Sequence, residues 1–273
     1  MVRAIVAAGL RERQGGRRGR GACTSLSDNR QPCTHPVWCS MRLDAVRRLA
    51  AVMFGGRCYL CRGAAAGGAV LCDPCLADLP RVAGARCPCC GLPSPEGTLC
   101  GSCLARPPKF DATYAALDYR FPADVLIQGL KYRGELALAP LLARLLAAAL
   151  PAGERVDLAV PVPLSTARLR ERGCNQAMEI ARSLPGRARL EPGLCARTRE
   201  TRAQSELPWT ERVRNVRRAF RCVRALDGLT VAVIDDVMTT GATLDAVAGA
   251  LKDAGALRVH NWVVARTLPP TDL

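Results

Sequence analysis

Val231-Ala232-Val233-Ile234-Asp235-Asp236-Val237-Met238-Thr239-Thr240-Gly241-Ala242-Thr243-Leu244 is the stretch on which the reading of this chain turns. Its first four residues are apolar and largely β-branched, without alternation, as in a strand buried on both faces of a parallel sheet. The adjacent Asp235 and Asp236 are expected where that strand ends. Three hydroxyl residues and a glycine follow, and from Thr243 onward Leu244, Val247, Ala248 and Leu251 recur at helical spacing up to Gly255. Ligands of open α/β sheets bind beyond the carboxyl ends of strands. A glycine lets the backbone close round a phosphate, and a helix start offers free N–H groups. Two carboxylates would repel that phosphate unless they face something else, and the vicinal hydroxyls of a ribose beside Mg²⁺ meet the requirement. The stretch therefore reads as a site for a sugar carrying a 5-phosphate. A Walker B strand is the main rival, but the chain has no Gly-x-x-x-x-Gly-Lys loop to partner it.

The segment resembles the phosphoribosyl pyrophosphate (PRPP) motif of type I phosphoribosyltransferases. By that resemblance Asp235 and Asp236 bind the ribose hydroxyls, and Thr239, Thr240, Gly241, Ala242 and Thr243 cradle the 5-phosphate.

Eight cysteines form the second signal. Cys58-x-x-Cys61, Cys72-x-x-Cys75, Cys87-x-x-Cys90 and Cys100-x-x-Cys103 each place two thiolates on a tight turn, and two such knuckles close a tetrahedral site. The simplest assignment is two zinc ribbons taken in chain order, holding one or two structural Zn²⁺. Four thiolates leave no open position for chemistry, and Cys89 reads as a bystander. Residues 1–40, rich in Arg, Gly, Ser and Pro, read as disordered or as an extension upstream of the natural start, because Met41 opens an amphipathic helix with Leu43, Val46, Leu49, Ala50 and Met53. The expected organisation is thus 1–40, a helix plus zinc-ribbon module at 41–108, and an α/β domain at 109–273.

Within the α/β domain, strands are expected at Asp111–Tyr119, Val156–Val162 and Arg258–Arg266, with a helix from Leu136 to Leu150 and another ending at Lys131-Tyr132-Arg133-Gly134, where basic residues suit the helix dipole. His260 reads as a packing or surface residue. Past the second strand, Arg168, Arg170, Arg172, Gly173, Asn175 and Gln176 suit an anion such as pyrophosphate. The polar stretch containing Arg197, Thr201, Gln204, Arg212 and Asn215 reads as a lid over that leaving group. The net charge of +15 favours polyanions, and single-stranded DNA is a candidate partner. No run of 18 or more apolar residues predicts a membrane span, and paired cysteines without a secretory layout point to the cytoplasm.

From about Met41 onward, these pieces in this order resemble the ComF family. The cysteine pairs come first, then Leu130-Lys131-Tyr132-Arg133-Gly134, Pro161-Val162-Pro163-Leu164, Arg170-Glu171-Arg172-Gly173-Cys174-Asn175-Gln176, the lid pattern and the PRPP motif. The resemblance implies a type I phosphoribosyltransferase-like parallel sheet, PRPP with Mg²⁺ as ligand, a role in DNA uptake or DNA utilisation, and a DNA-import helicase as partner. Ser165 and Cys174 depart from it, standing where the family often has His and an aromatic residue.

Overall fold

The computed structural model describes residues 56–186, 188–198 and 219–269. The readings of residues 1–40 and of the helix from Met41 lie outside them, as do Thr201, Gln204, Arg212 and Asn215. The core is a five-stranded parallel sheet ordered β3-β9-β8-β4-β5. Its strands are β3 (Ala112–Asp118), β4 (Leu158–Pro161), β5 (Arg189–Leu190), β8 (Thr230–Met238) and β9 (Arg258–Arg266). The expected class, a parallel sheet flanked by helices and preceded by a small cysteine-rich module, is the one observed.

Burial on both faces of the sheet explains the unalternating apolar runs. Ala232, Ile234, Trp262 and Val264 join one core. Their neighbours Val231, Val233, Val259 and Val263 join the other. On the first face lie α3 (Ala123–Tyr132), α4 (Leu138–Ala149) and α6 (Gln176–Ser183). On the second face lie α7 (Ala242–Asp253) and the antiparallel pair β6 (Cys195–Arg197) and β7 (Phe220–Cys222). Arg197, expected in an irregular lid, thus belongs to a strand and stands 5.4 Å from the Phe220 ring.

The cysteine-rich module wraps the sheet's edge. Cys58, Ala65, Leu71 and Leu79 pack into the first core. Cys87, Cys89, Cys90, Cys103 and Phe110 pack into the second. Between them the chain crosses β3: the Val82 amide donates to Ala116 O at 3.0 Å and the Asp118 amide to Pro80 O at 2.8 Å. These bonds occupy the open side of an edge strand, which would otherwise offer itself to another chain. The module carries β1 (Gly56–Arg57), β2 (Ala64–Ala65), α1 (Asp73–Ala77) and α2 (Gly101–Ala105), elements too short to hold themselves together.

His260 has a partner that the sequence did not disclose. Its Nδ1 lies 2.6 Å from Glu154 Oε1, which also accepts from Trp262 Nε1 at 3.3 Å. Among the described residues, no helix is long and apolar enough to cross a membrane.

Candidate functional site

The chain leaves β4 toward β5 on one side of the sheet and leaves β8 toward β9 on the other. The carboxyl ends of β4 and β8 therefore diverge at a topological switch point, where open α/β sheets form their ligand crevice. A cleft of about 300 Å³ lies there. Its lining includes Val162, Pro163 and Leu164 from the β4 end, Asp235 to Leu244 from the β8 end, and the basic side chains of Lys131, Arg168, Arg172 and Arg197.

One expectation is corrected here. β8 does not end at Ile234 but runs on to Met238, because pairing with β9 continues through Asp235↔Val263 and Val237↔Ala265. The two acids belong to the strand, which fixes their direction. Asp235 Oδ1 accepts from the Asp236 amide at 2.9 Å, and Asp236 Oδ1 from the Val237 amide at 2.8 Å. Burial, and then the neighbouring Asp236, push the Asp235 carboxyl up to about 8. Asp236 is only 7% exposed and has Lys131 Nζ 3.3 Å from its Oδ2. Asp236 in turn holds the Lys131 ammonium above its usual pKa. Lys131, whose place in the last helical turn suits the helix dipole, lies against Asp236 of the acid pair.

After Met238 the backbone turns at Gly241, which has φ +83 and stands just before α7. The Ala242 amide donates to Thr240 Oγ1 at 3.1 Å, and the Asp245 amide to Gly241 O at 2.8 Å. A Cβ on Gly241 would lie 2.7 Å from Met238 Cε. Gly241→Ala is therefore expected to lower stability by about 1–2 kcal/mol, through left-handed strain and the displaced methionine, in a denaturant titration.

The opposite wall is less uniform than the sequence implied. Arg168 and Arg172 line the cleft, and the Arg172 guanidinium sits 5.5 Å from the Tyr132 ring. Arg170 is exposed and does not belong to the lining. Gly173, Asn175 and Gln176 serve the backbone. Gly173 is the left-handed cap ending α5 (Thr166–Arg172). Asn175 caps α6, accepting from the Ala177 and Met178 amides, and donates to Val162 O at 3.0 Å. Gln176 donates to Cys174 O at 3.2 Å. Ser165, one of the departures from the family pattern, caps α5 by accepting from the Arg168 amide.

Both sets of four cysteines come together as expected. Within Cys58, Cys61, Cys72 and Cys75, and within Cys87, Cys90, Cys100 and Cys103, all sulfurs lie within 4.8 Å of one another. The Cys61–Cys72 and Cys90–Cys100 sulfurs are 3.6 and 3.5 Å apart. Sulfurs at the corners of a tetrahedron around Zn²⁺ stand about 3.7 Å apart, so the spacing fits. The donor chemistry fits as well. Burial opposes ionisation of Cys87, yet the backbone at Cys100, Cys90 and Cys89 draws it down to about 7. Cys75 is pushed up to about 12, first by its hydrogen bond with Cys72, then by burial and the remaining sulfurs. Such crowding is relieved when a divalent cation shares the charge. Cys89 stays outside the set and donates to Phe110 O.

Comparison with known proteins agrees with this architecture. A family model described as a double zinc ribbon domain matches residues 49–104. The DNA utilization protein YhgH of Escherichia coli O6:H1 is 34% identical over 223 residues, covering 78% of this chain and 98% of its own. Competence protein F of Haemophilus influenzae is 29% identical, with the same two coverages. Competence protein ComFC of Bacillus subtilis is 26% identical over 72% of this chain and 84% of its own. Among solved structures, a purine phosphoribosyltransferase from Pyrococcus horikoshii Ot3 aligns over 59% of this chain and 95% of that one, at 16% identity and a TM-score of 0.23, a value too low to define the fold by itself. With the ribbons, the switch-point cleft and a relative matched over nearly its whole length, the chain belongs to the ComF family, the group of the DNA utilization protein YhgH and competence proteins F and ComFC.

Proposed function

We propose that the cleft between β4 and β8 binds PRPP with Mg²⁺, and that the protein acts in DNA uptake or the use of DNA. The observation that carries the reading is the division of the cleft by charge. Acids stand at the end of β8, a Thr-Thr-Gly turn leads into α7 beside them, and Arg168, Arg172 and Arg197 line the cleft with them. A ribose with phosphate on C5 and pyrophosphate on C1 has that division of charge.

In this reading Asp235 and Asp236 would hold the ribose hydroxyls and a Mg²⁺, which would supply charge neutralisation for the pyrophosphate. The backbone of Thr239 to Thr243 takes the 5-phosphate. Arg168, Arg172 and Arg197 would draw the pyrophosphate away from C1, beside a loop whose shape Gly173, Asn175 and Gln176 hold through their backbone contacts. Catalysis would consist of replacing pyrophosphate on C1 by a nitrogen nucleophile, or the reverse. The residues would stabilise an oxocarbenium-like centre and the leaving charge rather than attack it covalently. Lys131 Nζ stands 3.3 Å from Asp236 Oδ2, so ribose and lysine would share that carboxylate.

The net charge of +15, together with relatives named for DNA utilisation and competence, favours a second, compatible role: holding single-stranded DNA beside a DNA-import helicase. A genetic experiment ties the cleft to either role. In a strain whose DNA utilisation depends on this protein, the chain carrying Asp235→Asn and Asp236→Asn is expected to accumulate normally and fail to restore it. Full restoration would mean that the role does not depend on the phosphoribosyl site.

A further inference from the structure

The last residue of β9, Arg266, is only 2% exposed. Buried arginines are expensive unless their donors are used. Its Nε donates to Cys90 O at 2.8 Å. Its Nη1 donates to Met238 O at 2.9 Å, to Thr267 O at 2.9 Å and to Thr239 O. One guanidinium thus grips a backbone carbonyl of the second cysteine site and two carbonyls at the root of the Thr239–Thr243 turn.

Other contacts run along the same path. The Thr113 amide donates to Pro88 O at 3.1 Å. Cys89 Sγ donates to Phe110 O, and the Phe110 ring comes within 3.7 Å of a Cβ built on Gly241. Cys87, Cys90, Cys103, Phe110, Met238 and Ala242 lie in one buried core. The first cysteine site has no such position, since its buried residues pack on the opposite face of the sheet. A tetrathiolate Zn²⁺ carries a net charge of −2, which a buried guanidinium beside it offsets.

We infer that Arg266 is a positioning residue that ties the second zinc site to the phosphate-binding turn, so that the shape of the turn depends on the integrity of that ribbon. The inference rests on the phosphoribosyl reading only for what the turn binds; the coupling itself can be read without a ligand. Lysine keeps the charge of Arg266 but has one nitrogen, which cannot span carbonyls on both sides.

The test compares the full zinc-loaded chain with its Arg266→Lys variant by amide hydrogen exchange, zinc content and titration with PRPP–Mg²⁺. The variant is expected to retain two equivalents of zinc, while the Ala242 and Asp245 amides exchange at least tenfold faster. The Thr198 and Val223 amides, which follow β6 and β7 and donate to Ala219 O and Leu194 O, should not change. PRPP affinity should fall at least tenfold. Removing the second zinc through Cys100→Ser should quicken the same two amides, and it answers the question if Arg266→Lys does not fold. Unchanged exchange at Ala242 and Asp245 in the folded Arg266→Lys chain, or in Cys100→Ser where Arg266→Lys does not fold, overturns the inference. Faster exchange in a protein whose wild type binds no PRPP supports the coupling and rejects the phosphoribosyl reading.

Discussion

Replacing Asp235 by Asn is expected to make the protein more stable at pH 8 while removing most of its affinity for PRPP–Mg²⁺. The two effects share one cause. Folding partly shields the Asp235 carboxyl from water and sets it beside Asp236, and these two effects, in that order, raise its pKa to about 8. The unfolded chain holds it near 4. Between these values the folded state binds more protons than the unfolded one, so stability declines as pH rises from about 4 to about 8 and levels off above. The asparagine removes that decline. Its gain should be absent near pH 4 and reach about 1 kcal/mol or more at pH 8, a shift of about 2–4 °C in Tm. Binding moves the other way. Two ribose hydroxyls and Mg²⁺ call for the ionised pair, so wild-type affinity should rise with pH up to about 8, with a proton released on binding. The single variant should lose about 100-fold in affinity, and the double Asp→Asn variant should show no binding. Thermal melts at pH 4 and pH 8 with calorimetry at each pH check both halves; a variant that is no more stable at pH 8 would contradict the account of Asp235.

The second large effect is expected from the second cysteine site. Cys87→Ser should lower the stability of the whole chain by about 3–5 kcal/mol, because losing that zinc ion opens a knuckle that forms part of the sheet's own core. Cys87 is 1% exposed and packs in the cluster that holds Phe110, Val233 and Met238. Cys61→Ser touches an exposed sulfur and should cost clearly less, although it also removes one zinc equivalent. Denaturant unfolding followed with zinc release distinguishes the two. Equal losses would contradict the larger structural role assigned to the second site.

What could be read beforehand follows from which forces are local. The apolar run at Val231–Ile234 announces a buried parallel strand because both faces must be apolar. The four Cys-x-x-Cys pairs announce their metal sites because a knuckle is a local turn. The length of β8 was not legible, since polar Asp235 and Asp236 look like a strand end, and only pairing with β9 carries them onward. The antiparallel pair β6 and β7 has three residues in each strand, too few for a period to show. Lys131 on Asp236, Glu154 on His260 and Arg266 on Cys90 join residues far apart in the chain, and no spacing rule reaches them. In the candidate site, the Thr-Thr-Gly turn was legible by motif. Which arginines face it was not, because α5 turns Arg168 and Arg172 toward the cleft and leaves Arg170 exposed.

Calorimetric titration of the zinc-loaded chain with PRPP and Mg²⁺ at pH 8 decides whether the β4–β8 cleft is a phosphoribosyl site. Saturable binding at one site per chain, dependent on Mg²⁺ and accompanied by proton release in buffers of different ionisation enthalpy below pH 8, is the predicted result. A folded protein holding both zinc ions that takes up no PRPP would contradict it.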